Sequence, residues 1–149
     1  MFSPSRLKLA RQRLALTLTK LAEQSGVSLR SLTNYENGKL APNEENLLKL
    51  ASALSVPPKF FNRDTVEAIP VEAASFRKLS KTTATRRDAV LANATLAVEF
   101  FAVIESKFRL PAPGTPSFDK LSPEEAADLV RHRWNLGDRP IANMIHLLE

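Results

Sequence analysis

Residues 17–39, TLTKLAEQSGVSLRSLTNYENGK, predict two short helices joined by one tight turn. Thr17 and Ser28 can cap the two helices, because a hydroxyl oxygen at that position accepts a hydrogen bond from a free backbone N–H. Between the helices, Gly26 supplies the backbone freedom that ends the first one. Leu32 gives the second helix an inward face at helical spacing. The stretch therefore predicts a helical hairpin whose second helix turns its other face to solvent.

The outward face of the second predicted helix carries side chains suited to a DNA major groove. Arg30 and Asn34 carry guanidinium and carboxamide groups, which can make paired hydrogen bonds to base edges. Beside them, Thr33 adds a hydroxyl, and Leu29 adds an apolar group that could pack on a thymine methyl. The residues after this helix lie where a phosphate strand would pass. The predicted DNA-binding set is Thr17, Thr19, Ser28, Leu29, Arg30, Thr33, Asn34, Asn37 and Lys39.

The longer pattern LTLTKLAEQSGVSLRSLTNYENGKLAPNEENLLKLASAL resembles the helix-turn-helix of the phage-repressor/Cro-like (XRE) regulators. This resemblance implies an all-α, five-helix, lambda-repressor-like DNA-binding domain at residues 1–64, and a sequence-specific transcriptional regulator of double-stranded DNA. Because one small domain reads few base pairs, we expect a homodimer on a two-fold operator. The family often has a phosphate-contacting Gln where this chain has Leu18. A helical hairpin without nucleic-acid function is the alternative, because the fold is also used without DNA binding.

The excess positive charge of the chain lies in this first domain. Residues 1–64 contain ten Lys and Arg against five Asp and Glu, whereas residues 65–149 contain eleven of each kind. The net charge of +5 therefore belongs to the part that resembles a DNA-binding domain. This asymmetry favours a polyanionic partner, because basic residues that neutralise phosphates release counterions.

The other elements of the first domain are predicted to enclose one core. A first helix is expected over 5–14, with Leu14 among its inward positions. Asn43 caps a further helix, and a short turn over 57–61 covers the base of the core. The arginines of the first helix are predicted either to reach phosphates or to form a solvated basic face. They are Arg6, Arg11 and Arg13.

A linker over 65–75 and a small helical domain over 76–149 are predicted to follow. The linker has no helical stripe and contains one proline. The segment 76–87 carries five basic residues and no acid. It could contact DNA beside the operator, or it could pair with acidic residues of the second domain.

One long helix over 83–109 dominates the predicted second domain. Its apolar residues are spaced 4, 3, 4, 3 and 4 apart, which lets one helix lie along another. We interpret this row as the buried face of a small intramolecular bundle, with a dimerisation helix as the alternative. The row is Val90, Ala94, Ala97, Phe101, Ile104 and Phe108, and the opposite side carries Asp88, Thr95, Glu99 and Ser106.

The C-terminal segment predicts a loop over 111–120 and two shorter helices. The sequence SPEE at 122–125 is a helix start signal that predicts a helix through Trp134, and another apolar helix is expected over 140–148. The abrupt end at 149 predicts that the natural chain continues, so the second domain is expected to be truncated here. Residues 76–149 are similar to the segment that precedes the zinc site in XRE regulators fused to ImmA/IrrE-type metallopeptidases.

No catalytic residue, metal site or cofactor is predicted in this chain. The HExxH motif of those metallopeptidases is absent, and the two histidines, His132 and His146, are expected to be a surface or packing residue and a partly buried one. The chain has no cysteine and no predicted membrane span, so a cytoplasmic location is expected. Two alternatives to the regulator remain: the regulatory part of a zinc metallopeptidase, and an antitoxin-like adaptor whose residues 76–149 bind a protein partner.

Overall fold

The computed structural model describes residues 1–65, 68–70, 83–110, 117–118 and 120–148, and no strand occurs among them. The predicted all-α class is confirmed. Clustering of the chain gives two compact units, Met1–Phe108 (unit 1) and Arg109–Glu149 (unit 2). The helices are α1 (Pro4–Arg13), α2 (Leu18–Ser25), α3 (Leu29–Glu36), α4 (Glu44–Ala53), a 3₁₀ helix (Pro58–Asn62), α5 (Ala84–Lys107), α6 (Pro123–Arg133) and α7 (Met144–Leu148).

The helix ends in the first part of unit 1 lie at the predicted capping residues. The hydroxyl of Thr17 accepts a hydrogen bond from the backbone N–H three residues ahead at 3.2 Å, and the hydroxyl of Ser28 does the same at 3.1 Å. Asn43 caps α4 through its side-chain oxygen at 2.9 Å. Gly26 ends α2 with a φ of +69°, a conformation that a side chain would strain. The four predicted ends are confirmed.

α1 to α4 and the 3₁₀ helix enclose one apolar core. The ring of Phe61 lies 6.3 Å from that of Phe2 and 5.8 Å from that of Phe60, and these rings close one end of the core. Tyr35, which the sequence analysis did not place inside, is also buried. The largest fully buried side chains are Phe61, Leu7, Leu21, Leu32, Leu50 and Leu54.

Leu14 was predicted to face inward, and this prediction is wrong, because the side chain is 41% exposed. α1 ends at Arg13, and Ala15 adopts a left-handed conformation with a φ of +54°. The chain therefore turns away at the end of α1 before Leu14 can complete the helical stripe.

The three arginines of α1 are engaged within unit 1, so neither prediction for them is correct. Arg6 is 4% exposed and donates two hydrogen bonds to the carboxylate of Glu99, at 2.6 and 2.9 Å. Arg11 makes the same paired contact with Glu36, at 2.6 and 2.8 Å. Arg13 donates to the backbone carbonyl that follows α4, at 2.7 Å. These guanidinium groups connect parts of the fold instead of facing a phosphate strand.

α5 packs on α1 through the face that was predicted to point away. Leu91, Ala92 and Thr95 are buried there, and Glu99 reaches the buried Arg6 from the same face. The prediction that the apolar row is the buried face is therefore wrong. Its exposed members include Val90 (54% exposed), Phe101 (57%) and Phe108 (63%).

The predicted domain boundaries fall largely outside the described residues. Of the predicted linker at 65–75, the structure describes 65 and 68–70, and the basic segment 76–87 is described from 83 onward. Within unit 1, the backbone N–H of Ile69 donates to the hydroxyl of Thr95 at 3.2 Å. α5, which was assigned to the second predicted domain, lies in unit 1 with the helical hairpin. The division at 65–75 stays a prediction.

α5 is long and apolar enough to cross a bilayer by length and composition alone. The sequence analysis did not identify this stretch as a span. The observation is weak evidence for a membrane helix, since the core helix of a soluble protein passes the same test. One face of α5 also carries Glu99 and is packed on α1.

The first helix of unit 2, α6, begins at the predicted start signal. Ser122 and Glu125 form a reciprocal capping box at the start of α6, with distances of 3.2 and 2.9 Å. α7 is shorter than the predicted helix over 140–148, because the side-chain oxygen of Asn143 accepts from the N–H of His146 and starts the helix there. His132 is exposed, and His146, predicted to be partly buried, is exposed too. Most of the predicted loop at 111–120 lies outside the described residues.

Candidate nucleic-acid interface

α3 is fixed in unit 1 by its inward side chains. Leu32 has no exposed surface, and Tyr35 is 5% exposed. The hydroxyl of Tyr35 accepts a hydrogen bond from the side-chain amide of Asn46 on α4 at 3.1 Å. Glu36, at the end of α3, receives the paired hydrogen bonds of Arg11 on α1. α3 is therefore connected to both neighbouring helices, and its opposite face is free to meet a ligand.

The exposed face of α3 differs in chemistry from position to position. Arg30 is exposed and has no ion pair or hydrogen bond to another side chain in the described part of unit 1. Thr33 is exposed, but its hydroxyl donates to the backbone carbonyl of Leu29 at 2.8 Å. A lone pair and a methyl group therefore remain available at Thr33. Asn34 is half-buried, and the side chain of Leu29 is 46% exposed.

The start of α2 belongs to the same helical hairpin, since α2 and α3 pack on each other. Thr17 and Thr19 are exposed there, as is Lys20. The N-terminus of a helix attracts anions through its free N–H groups and its dipole. Leu18 packs against the core. Because its side chain is apolar, it makes no polar contact at the start of α2. Lys20 was not predicted as a contact, although a basic residue in the first turn of a capped helix was visible in the sequence.

The turn after α3 carries the last two predicted contact residues. Asn37 caps the end of α3, and Gly38 follows with a φ of +69°. The backbone N–H of Lys39 then donates to the carbonyl of Asn34 at 2.9 Å. This bond ties the turn to α3, while the side chains of Asn37 and Lys39 are exposed.

The predicted set therefore lies on one helical hairpin and the turn that follows it. Eight of its nine members are exposed, and Asn34 is half-buried. The sequence analysis missed the contacts that fix α3, namely Tyr35 with Asn46 and Arg11 with Glu36. Among the described residues, no group of three or more His, Cys, Asp or Glu could hold a metal ion.

Comparison with known proteins gives matches over this part of the chain. A family model described as helix-turn-helix matches residues 7–61. The chain is also similar to the cryptic phage CTXphi transcriptional repressor RstR of Vibrio cholerae serotype O1, with 43% identity over 51 residues. That match covers 33% of this chain and 46% of the relative, so the chain spans less than half of the relative's length. No solved structure matches the chain.

Both matches support the XRE-type helix-turn-helix family and the lambda-repressor-like fold for the first part of unit 1. The family match ends at residue 61. The resemblance of residues 76–149 to the segment found in ImmA/IrrE-type fusions stays a prediction.

Proposed function

We propose that this chain is a sequence-specific DNA-binding transcriptional regulator that acts in the cytoplasm as a dimer on a two-fold operator. The observation that carries the proposal is the exposed guanidinium of Arg30, which has no side-chain partner among the described residues of unit 1. It lies on α3, a helix fixed by buried residues on its other face. The match to a helix-turn-helix family and the similarity to a phage repressor support the same function.

Base choice in this proposal comes from the exposed face of α3. Arg30 can donate two hydrogen bonds to guanine in the major groove, and Asn34 can pair with adenine. Thr33 contributes through its methyl group and a lone pair, since its proton is used within the helix. Leu29 would pack on a thymine methyl.

Phosphate contacts in this proposal come from residues other than the arginines of α1. Those arginines are engaged within unit 1, so the backbone contacts are assigned to Thr17, Thr19 and Ser28, to the turn residues Asn37 and Lys39, and additionally to Lys20. Phosphate contacts position the protein without reading sequence. Two copies would place α3 in successive major grooves, with half-sites about one helical turn apart.

Arg30→Ala is expected to weaken binding to a selected site by about 1–3 kcal/mol and to relax base preference at one position. Lys39→Ala is expected to weaken all sequences alike and to lower the slope of log K against log salt by about one. A binding-site selection with the purified chain supplies the site. Fluorescence titrations at several salt concentrations then measure both effects.

Lys59→Ala serves as a charge-matched control for this experiment. Lys59 is exposed on the 3₁₀ helix, which packs on α1 and α4. Its replacement should leave base preference unchanged. If Arg30→Ala and Lys59→Ala altered binding to the selected site equally, the assignment of α3 to the groove would be wrong.

An adaptor function has one observation in its favour, the exposed apolar face of α5. In that case residues 76–149 would recruit a different protein to DNA. The metallopeptidase alternative places its HExxH motif beyond this chain, so it stays a prediction. Light scattering of the purified chain separates the adaptor from a self-sufficient regulator, because an obligate missing partner would leave an aggregating apolar surface.

A further inference from the structure

α5 exposes the apolar row that its sequence spacing defines. We call Val90, Ala94, Ala97, Phe101, Ile104 and Phe108 the α5 outer row. The helix packs on α1 through its opposite face, with Ala92 and Thr95 buried and Glu99 bonded to Arg6. Two further apolar side chains flank the outer row, Val98 at 60% exposure and Phe100 at 64%. Exposed apolar patches of a few hundred Å² often mark an interaction site on a soluble protein.

The outer row and its flanks are large enough for a specific interface. The five large side chains with exposures of 54% to 64%, three of them phenylalanines, offer roughly 500 Å² on one copy. Two such faces would bury about 1,000 Å² in total, near the lower limit for a biological interface. The spacing of 4, 3, 4, 3 and 4 also indicates what covers the row, because that repeat keeps a stripe facing a second helix.

We propose that the α5 outer row is a dimerisation surface on which α5 of a second copy lies antiparallel. In this register the two-fold axis passes at the level of Glu99, which points away toward α1. Phe101 then meets the partner's Ala97, Ile104 meets the partner's Ala94, and Phe108 meets the partner's Val90. Each layer pairs a large side chain with a smaller one, as interdigitated packing requires. A two-fold axis repeats every such contact in reverse.

A parallel pair would fit the same row poorly. It would set Ala94 against the partner's Ala94 and Ala97 against the partner's Ala97, leaving gaps beside two stacked phenylalanine layers. The alternation of small and large residues therefore favours a second copy in the antiparallel direction. This inference rests on the proposed function in one respect: the dimer would serve to join two DNA-binding units.

Analytical ultracentrifugation of the full chain tests the surface. The wild-type chain is expected to be a dimer, and Phe101→Glu should raise the dimer Kd by about a hundredfold or more. Because Phe101 is 57% exposed, the variant should keep its circular dichroism spectrum at low temperature. Leu48→Glu is the matched control and should leave the dimer intact, since Leu48 is 53% exposed on a different helix, α4.

A monomeric wild-type chain would overturn the inference, and so would a Phe101→Glu variant that remains a dimer. Recovery of the wild-type chain on phosphatidylcholine vesicles, with no dimer in solution, would also overturn it and would point to a membrane. Specific DNA binding by a monomeric wild-type chain would keep the sequence-specific regulator but remove its dimer on a two-fold operator. A dimer that is lost on Phe101→Glu but shows no sequence preference would remove the proposed function and retain the surface.

The absence of native cysteine allows a direct test of direction. Val98→Cys places a thiol beside the axis in the antiparallel pair, so a short thiol-specific crosslinker should join two copies. Ile104→Cys should not react in this way, because the two residues would lie about 15 Å apart along the helices. Crosslinking through Ile104→Cys, or failure of Val98→Cys to crosslink in a dimer, would overturn the antiparallel arrangement.

Discussion

Replacing Glu99 by alanine is expected to lower the free energy of unfolding of unit 1 by about 2–3 kcal/mol. The guanidinium of Arg6 is 4% exposed, and it would lose two hydrogen bonds and its counter-charge. It would keep a hydrogen bond to the carbonyl of Asp64 at 2.8 Å and a contact with the ring of Phe60, 5.4 Å from its centre. The effect stays below that of a fully buried pair because Glu99 is 25% exposed. Urea unfolding followed by circular dichroism measures the change.

A surface pair in the same chain supplies the control. Glu45 and Lys49 approach to 2.6 Å one turn apart on α4, but both side chains are largely exposed. Exposed pairs contribute little, because water screens them and the side chains lose freedom. Glu45→Ala should therefore leave the urea midpoint close to that of the wild-type chain. If Glu99→Ala and Glu45→Ala lowered the free energy of unfolding equally, the ion pair between α1 and α5 would stabilise the fold no more than a surface pair does.

The pH dependence of stability should report the same bond. The hydrogen bonds from Arg6 hold the pKa of Glu99 below its ordinary value of 4.5, although burial acts in the opposite direction, and the charges of Arg6 and Arg63 also lower it. A carboxyl group whose pKa is lowered on folding stabilises the fold at pH values above its unfolded pKa. That contribution is lost as pH falls through the folded pKa. Urea midpoints measured downward from pH 5 should fall more steeply for the wild-type chain than for Glu99→Gln.

The local structure of unit 1 could be predicted from the sequence because its signals act over a few residues. Thr17, Ser28 and Asn43 cap helices through atoms three residues away. The left-handed Gly26 needs no tertiary partner. Helical spacing likewise identified Leu32 as inward, because only one stripe of α3 is apolar enough to be buried.

The packing of α5 could not be predicted in the same way. Periodicity identifies an apolar stripe, but it does not state which neighbour the helix meets. The decisive feature lies far along the chain, where Arg6 on α1 is buried and requires a carboxylate. Glu99 supplies it from 93 residues away, on the face of α5 that packs on α1. The apolar stripe therefore lies on the outer side of α5.

The candidate interface shows the same division between local and distant signals. Exposure of Arg30 follows from its position on a helix whose other face is buried. Local sequence does not show that the arginines of α1 are unavailable for phosphate contacts. Arg11, for example, is bonded to Glu36, which lies 25 residues further along the chain. The hydroxyl of Thr33 donates its proton to a backbone carbonyl four residues earlier in α3. A threonine in a helix can make this bond, but its sequence position does not require it.

Leu32→Ala is expected to lower the free energy of unfolding of unit 1 by about 3 kcal/mol or more, since it empties part of a close-packed core. Leu32 is fully buried in the middle of α3, whereas Leu29, the first residue of the helix, is 46% exposed. Leu29→Ala should change stability by less than about 0.5 kcal/mol. The two variants remove the same atoms from one helix and differ in how deeply the shortened side chain is buried, and urea unfolding compares them directly.

The same pair separates folding from recognition. Leu29→Ala should leave the unfolding transition in place and weaken binding at sites with a thymine opposite α3, because it removes an apolar contact with the methyl group. Leu32→Ala should weaken binding to every sequence once the unfolded fraction becomes large, and low temperature or an excess of DNA should restore it, since binding favours the folded state. If Leu29→Ala destabilised the chain as much as Leu32→Ala, the Leu29 side chain would be buried in the core and its assignment to a thymine methyl would be wrong.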